Sequence, residues 1–223
     1  MRAAKRMIVG AIVVLATGTA ASAQMGMGMR GGPPQINGVW NPAVGKGASY
    51  EVTAESGKKM EMEITVVGKE TVNGKDGYWL QMAMSNSEMG GQMVMKHLLV
   101  LDGQETHSVK TIMQLPGRPP MEMPAQMSHH EHANQSADIR TDAQDLGSES
   151  ITVPAGTFTC EHYRAKDDSE SWLAKDVPPW GLVKHQGKES TMVLVKVIKD
   201  AKDKIVGTPQ PFNPMMMGQP PQQ

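Results

Sequence analysis

Between Met121 and His132 the chain sets three methionines and three histidines in a short run: Met121, Met123, Met127, His129, His130 and His132. Thioether sulfur and imidazole nitrogen are the donors that copper accepts, and imidazole also suits zinc. Pro119, Pro120 and Pro124 keep the run out of regular structure. Its first reading is a lid or linker whose Met residues cap an apolar face while its His residues meet water. The alternative is a copper- or zinc-binding loop, because short His-rich tracts are suggestive as composition alone.

Other methionines recur two apart, at Met25/Met27/Met29, Met60/Met62, Met82/Met84 and Met93/Met95. On a strand that spacing puts both thioethers on one side. The neighbouring Ile64, Val66, Leu80 and Leu99 make core packing the first explanation. A Met-rich face is also adaptable enough to take an acyl chain or a partner's apolar segment. The ligand-lining set expected on that basis is Met60, Met62, Leu80, Met82, Met84, Met93 and Met95.

Signatures of catalysis are absent. There is no nucleophile-elbow serine, "GKGAS" at Gly45–Ser49 lacks phosphate-loop spacing, and "HHEHA" at His129–Ala133 does not place two His four apart around a Glu. No catalytic residue is assigned, no enzyme activity is expected, and no cofactor is expected beyond the alternative copper or zinc.

The elements that must position these residues read as strands. In "KKMEMEITVVG" Met60, Met62, Ile64 and Val66 alternate with Lys59, Glu61, Glu63 and Thr65, the period of two of a half-buried strand. "GYWLQMAMS" and "QMVMKHLLVL" repeat the pattern, with His97 on the apolar side of the second. Further strands are expected at Ala48–Thr53, Thr106–Leu115, Ser148–Val153, Thr157–Lys166, Ser169–Lys175, Gly181–Gln186 and Ser190–Ile198. Asn73-Gly74, Asp76-Gly77, Gly90-Gly91, Asp102-Gly103 and Gly187-Lys188 supply hairpin turns. The fold expected is mainly β: one curved antiparallel sheet, a half-barrel or barrel-like meander with its mouth plugged, with one long loop from Pro116 to Gly147. Within that loop residues 133–146 carry helix formers and a cap in Ser136, enough for one or two turns.

The chain opens with Arg2, Lys5 and Arg6, an apolar run and "ASA", so residues 1–23 read as a secretory signal peptide cut after Ala23. The protein is then periplasmic or secreted, and no transmembrane segment is expected after signal removal. Losing those three basic residues takes the net charge from −1 to −4, which gives no footprint for nucleic acid. Residues 24–35 and 208–223 are rich in Gly, Pro, Gln and Met and are expected to be disordered, leaving 36–207 as the folded domain. Cys160 is the single cysteine, so it forms no internal disulfide and reads as a buried strand residue.

"ESITVPAGTFTCEHYR" at Glu149–Arg164 and "SWLAKDVPPWGLVK" at Ser171–Lys184 read as strands joined by turns, with Val153-Pro154-Ala155-Gly156 a tight one. The passage resembles uncharacterised exported bacterial β-rich proteins with a V-P-A-G-T-F hairpin. These are similar in shape to the periplasmic lipoprotein carriers and outer-membrane lipoprotein receptors, whose curved sheet holds an acyl group under a helical lid. The resemblance implies a non-enzymatic binding or envelope-associated module, with a lipophilic ligand or an envelope protein as partner. This chain departs from the carriers in having one short helical stretch where they have several helices.

Overall fold

A computed structural model of the protein describes residues 38–85, 87, 90–124 and 135–213. Strand period dictates almost all of it. The first five strands are β1 (Lys46–Ala54), β2 (Lys59–Val72), β3 (Lys75–Ser85), β4 (Met93–Asp102) and β5 (Glu105–Gln114). Two short ones follow, β6 (Met121–Met123) and β7 (Gln135–Ser136), and then β8 (Gln144–Val153), β9 (Gly156–Arg164) and β10 (Glu170–Leu173). The last three are β11 (Leu182–Gln186), β12 (Ser190–Ile198) and β13 (Gln210–Pro211).

All belong to one open, curved sheet in the order β13-β6-β5-β4-β3-β2-β1-β12-β11-β10-β9-β8, with β7 paired on β5. Neighbours are antiparallel except β13 on β6, which is parallel. The expected mainly β fold with a single curved sheet is what the chain adopts, and the sheet is not a closed barrel.

Turn chemistry fixes the register. Val72 pairs with Lys75 across Asn73 (φ 50°) and Gly74 (φ 79°). Two successive left-handed residues make the hairpin turn whose twist matches its strands. Asp76-Gly77, expected as a turn as well, instead lies inside β3, where Gly77 pairs with Glu70. A Cβ there would come 3.0 Å from Leu98 Cδ1 and 3.1 Å from Val72 Cγ2, so glycine serves close packing at this position rather than a turn.

Residues 135–143 form less helix than the sequence suggests. One 3₁₀ turn, Ile139–Thr141, is capped by Asp138, whose side chain accepts from the Arg140 amide; Ser136 lies in β7 instead. The helix stops because β8 begins at Gln144, four residues before the apolar alternation starts. Pairing of Gln144 and Asp145 with Arg164 and Tyr163 needs only backbone, so no side-chain pattern announces it.

Three irregular segments tie together over the sheet. Val39 N donates to Trp180 O (2.8 Å), Trp40 N to Ala137 O (2.7 Å), Asn41 N to Pro179 O (2.7 Å) and Ile139 N to Gly38 O (2.9 Å). Trp180, Val177 and Ile139 are buried in the same apolar cluster as the strand methionines, with Val39 and Trp40 packed against it. They act as the plug that an open curved sheet needs to bury its inner face.

The chain also continues past Gly207. Residues 199–206 cross the opposite face of β2, β3 and β5, and Gln210–Pro211 then extend the sheet beyond β6. Backbone pairing holds the extension beyond β6, with Phe212 N donating to Glu122 O at 3.1 Å.

Candidate functional site

Cross-strand register gathers the methionines. Met82 on β3, Met95 on β4, Met113 on β5 and Met121 on β6 are successive partners, forming a row of thioethers four strands wide that continues into Ile64 and Ala48. Tyr50, Met62, Met84 and Met93 form the adjacent row. Met60 and Met192 flank Val52. Nine of these methionines are in the buried core cluster and the tenth, Met123, packs against it. These ten are all the methionines among the described residues, and every one belongs to the inner face. On the other face of β3, β4 and β5 the buried apolar positions are Ala83, Val94, Leu98, Val100 and Ile112.

Every member of the expected ligand-lining set lies here. Met60, Met62, Leu80, Met82, Met84, Met93 and Met95 are each less than a tenth exposed. The expected metal set is divided. Met121 is buried in the row and Met123 is half-buried beside it, whereas Met127, His129, His130 and His132 lie outside the described residues. Among the described residues no group of three or more His, Cys, Asp or Glu is placed to hold a metal ion.

Polar groups interrupt the apolar face at two places. His97 pairs with Leu80 on one side and Thr111 on the other, and Thr111 pairs with Met123. His97 Nδ1 is 2.9 Å from Thr111 Oγ1 and 3.3 Å from Ser108 Oγ, and all three residues are buried. Across the sheet His185, between Ser171 and Met192, has its Nδ1 3.0 Å from Ser171 Oγ. Burial lowers the His185 pKa against an opposing pull from Asp167, so its imidazole is held in the neutral form. Hydroxyl partners orient both rings without lending them charge.

Aromatic rings close the upper end. Trp40 lies 4.6 Å from Trp180 at 47° and meets Tyr78 edge-on at 6.3 Å. Trp180 is 1% exposed, and its Nε1 has no hydrogen-bond partner among the described residues. A buried donor without an acceptor costs ~1–3 kcal/mol. Tyr50, by contrast, delivers its hydroxyl to Leu182 O at 3.0 Å.

Trp172 is sandwiched between the His162 ring at 4.3 Å and Lys184 Nζ at 4.3 Å, while its Nε1 donates to Glu149 at 2.6 Å. Cys160 is fully buried and its thiol is pushed up to about 11, by burial first and Glu149 second, so it stays protonated.

Sequence periodicity misses Met113 and Met192 because each stands alone among Thr, Ile, Gln and Val rather than in a Met-x-Met pair. The apolar-side position of His97 was visible, but its hydroxyl partners come from β5 and required register.

No family model matches the chain, and no curated protein matches it. Among solved structures it is similar to a Bacteroides fragilis protein described as a candidate exported protein with a YmcC-like fold. The identity is 15%, with 74% of this chain and all of that one covered and a TM-score of 0.36. A candidate lipoprotein from Parabacteroides distasonis is similar at 16% identity, covering 73% of this chain and all of its own, with a TM-score of 0.36. Among the described residues no helix is long and apolar enough to cross a membrane.

Proposed function

We propose that this protein is an exported, non-enzymatic binding module that holds a lipophilic group, such as an acyl chain or a partner's apolar segment, on the methionine face of its sheet. The observation that carries this reading is the segregation of all ten described methionines onto one face, while the buried apolar positions behind them use Val, Ile, Leu and Ala. If methionine were simply this protein's filler, both faces would contain it. Unbranched thioether side chains repack around varied apolar shapes at lower cost than branched ones. The face is covered by the 38–41, 137–143 and 174–181 segments, so an occupant enters by shifting this plug and the thioethers beneath it. The Trp180 indole N–H, buried without an acceptor among the described residues, supplies a donor for the carbonyl end of such a ligand.

Native mass spectrometry with palmitate and with a diacylglycerol probe tests the reading. One probe bound per chain, with quenching or a blue shift of the Trp40/Trp180 emission, is the expected result. A spectrum free of adducts at probe concentrations of about 100 μM, where even Kd values near 10⁻⁴ M leave visible occupancy, refutes it.

A further inference from the structure

The plug brings one donor out of water without an acceptor for it among the described residues, the Trp180 indole N–H. The peptide groups around it are paired: Trp180 O accepts from Val39 N at 2.8 Å, Pro179 O from Asn41 N at 2.7 Å, and Gly181 N donates to Val177 O at 2.7 Å. Two other indoles are answered by carboxylates, Trp79 Nε1 by Glu70 at 3.3 Å and Trp172 Nε1 by Glu149 at 2.6 Å. Phenylalanine would pack against Trp40, whose ring lies 4.6 Å away, without burying an unanswered N–H.

The surroundings decide what kind of acceptor this donor can receive. Among the described residues the buried polar side chains include no Arg, Asp or Glu and a single Lys, Lys96, which is committed to Asp203 on the opposite face of the sheet. His185 is held neutral by burial, and the Tyr50 hydroxyl is given to Leu182 O at 3.0 Å. A carboxylate drawn beneath the plug would meet one N–H and no buried cation. An unpaired charge taken out of water costs far more than one hydrogen bond returns. An ester or amide carbonyl brings an acceptor without that charge.

We propose that the Trp180 indole N–H is the specificity-determining donor of the methionine face, selecting long-chain ligands whose polar end is a neutral acyl carbonyl, ester or amide, over ionised fatty acids. This assignment rests on the lipophile reading above and adds which end of the ligand is recognised and in what form. The apolar chain lies on the thioethers, and its carbonyl reaches the plug where Trp180 packs against Trp40. Binding makes and breaks no covalent bond. Palmitate still enters by its chain, at a lower affinity than its esters.

The test uses the full chain and N-phenyl-1-naphthylamine, a neutral fluorescent lipophile with no carbonyl, displaced at pH 8 by methyl laurate, N-methyl lauramide or laurate. In the wild type the ester and the amide are expected to bind at least tenfold more tightly than ionised laurate, and the tighter of the two tells whether an ester-linked or an amide-linked acyl group is preferred. Trp180→Phe keeps an aromatic ring and removes the donor. It should weaken the ester and the amide ~3–10-fold, the worth of one hydrogen bond, while the naphthylamine keeps its affinity within twofold. Infrared spectra of methyl laurate labelled with ¹³C at the carbonyl keep the proposal testable even if that variant does not fold. Bound to the wild type, the carbonyl band should lie at lower wavenumber than for the same ester in hexane. An unshifted band overturns the proposal, as does equal affinity for ester and laurate, or equal ester affinity in wild type and Trp180→Phe; in each case naphthylamine binding leaves the lipophile reading standing. Binding of neither the naphthylamine nor any acyl probe overturns both.

Discussion

Gln81 on β3 grips the backbone around Lys204, 123 residues further along the chain: its Oε1 accepts from Lys204 N at 2.7 Å while its Nε2 donates to Lys202 O at 3.2 Å. Gln114 on β5 does the same to Val206, accepting from its N–H at 2.9 Å and donating to its carbonyl at 3.1 Å. Two side-chain amides thus imitate a strand neighbour for a segment that lies across the sheet rather than beside it. Gln81 is 1% exposed, so these bonds are made out of water. Gln81→Leu leaves a strap N–H and a carbonyl without their partners, at ~1–3 kcal/mol each. The expected outcome is a loss of ~2–4 kcal/mol in urea unfolding together with faster amide exchange confined to residues 200–206.

The strap is also held by charge. Lys96 pairs with Asp203 and lies 4.7 Å from the Trp79 ring centroid, with its side chain only 10% exposed. Asp203→Asn leaves a largely buried ammonium facing a neutral amide. Because Asp203 itself is 44% exposed, solvent softens the penalty, and ~1–2 kcal/mol of destabilisation is expected rather than the ~3–5 of a fully buried pair. Lys96→Met with Asp203→Asn should recover most of it. A double-mutant cycle measured by chemical unfolding reads the coupling.

Gly38 closes the plug. A Cβ there would come 2.2 Å from Trp180 O and 2.8 Å from Trp180 Cβ, and the first of these is backbone that cannot yield. Gly38→Ala therefore separates the 38–41 segment from Trp180, with an expected loss of ~1–3 kcal/mol from overpacking. Near-UV circular dichroism from the Trp40–Trp180 pair should fall while the far-UV strand signal is unchanged.

What was legible in the sequence follows from what carries side-chain pattern. Ser190–Ile198 is the strand that alternation predicts, residue for residue, and the Asn73-Gly74 turn is where its dipeptide places it. The inner-face positions of Met60, Met62, Leu80, Met82, Met84, Met93 and Met95 follow from the same period. Backbone-driven events left no such mark: the early start of β8 and the pairing of Gln210–Pro211 with β6 are peptide hydrogen bonds that any polar sequence can make, and the clamps from Gln81 and Gln114 join side chains to backbone more than 90 residues away, which no local pattern announces. The row Met82–Met95–Met113–Met121 needed register between four strands, which no single strand encodes.

Burial of His185 makes stability depend on pH. Its folded pKa lies below the ordinary 6.5, so between those two values the unfolded chain binds a proton that the folded chain does not. Stability therefore rises with pH across that window and is lost as pH falls through it. The carboxylates held low by partners, Asp138 by Arg140 and Glu170 by Arg164, act at lower pH, as it falls through their own folded values. His185→Gln keeps a hydrogen-bonding group opposite Ser171 but cannot titrate. Urea midpoints at pH 5, 6, 7 and 8 should fall more steeply toward acid in the wild type than in the variant, and parallel curves would show that His185 is not the source.

The methionine row separates packing from adaptability. Leucine matches methionine in volume to within what a core accepts, and such a swap costs less than ~1.5 kcal/mol. A row present only to fill space would tolerate Met82, Met95, Met113 and Met121 all becoming Leu, with ligand uptake unchanged. Leucine is branched and has fewer rotatable bonds, so a row of four resists the rearrangement that an entering chain requires. The quadruple variant is thus expected to keep or raise its unfolding midpoint while taking up palmitate at least tenfold more weakly by native mass spectrometry. Met82→Ala alone should do the opposite, losing ~2–5 kcal/mol of stability to the cavity it opens while still admitting the probe. Equal uptake by wild type and quadruple variant would leave these thioethers with packing as their only role in lipophile binding.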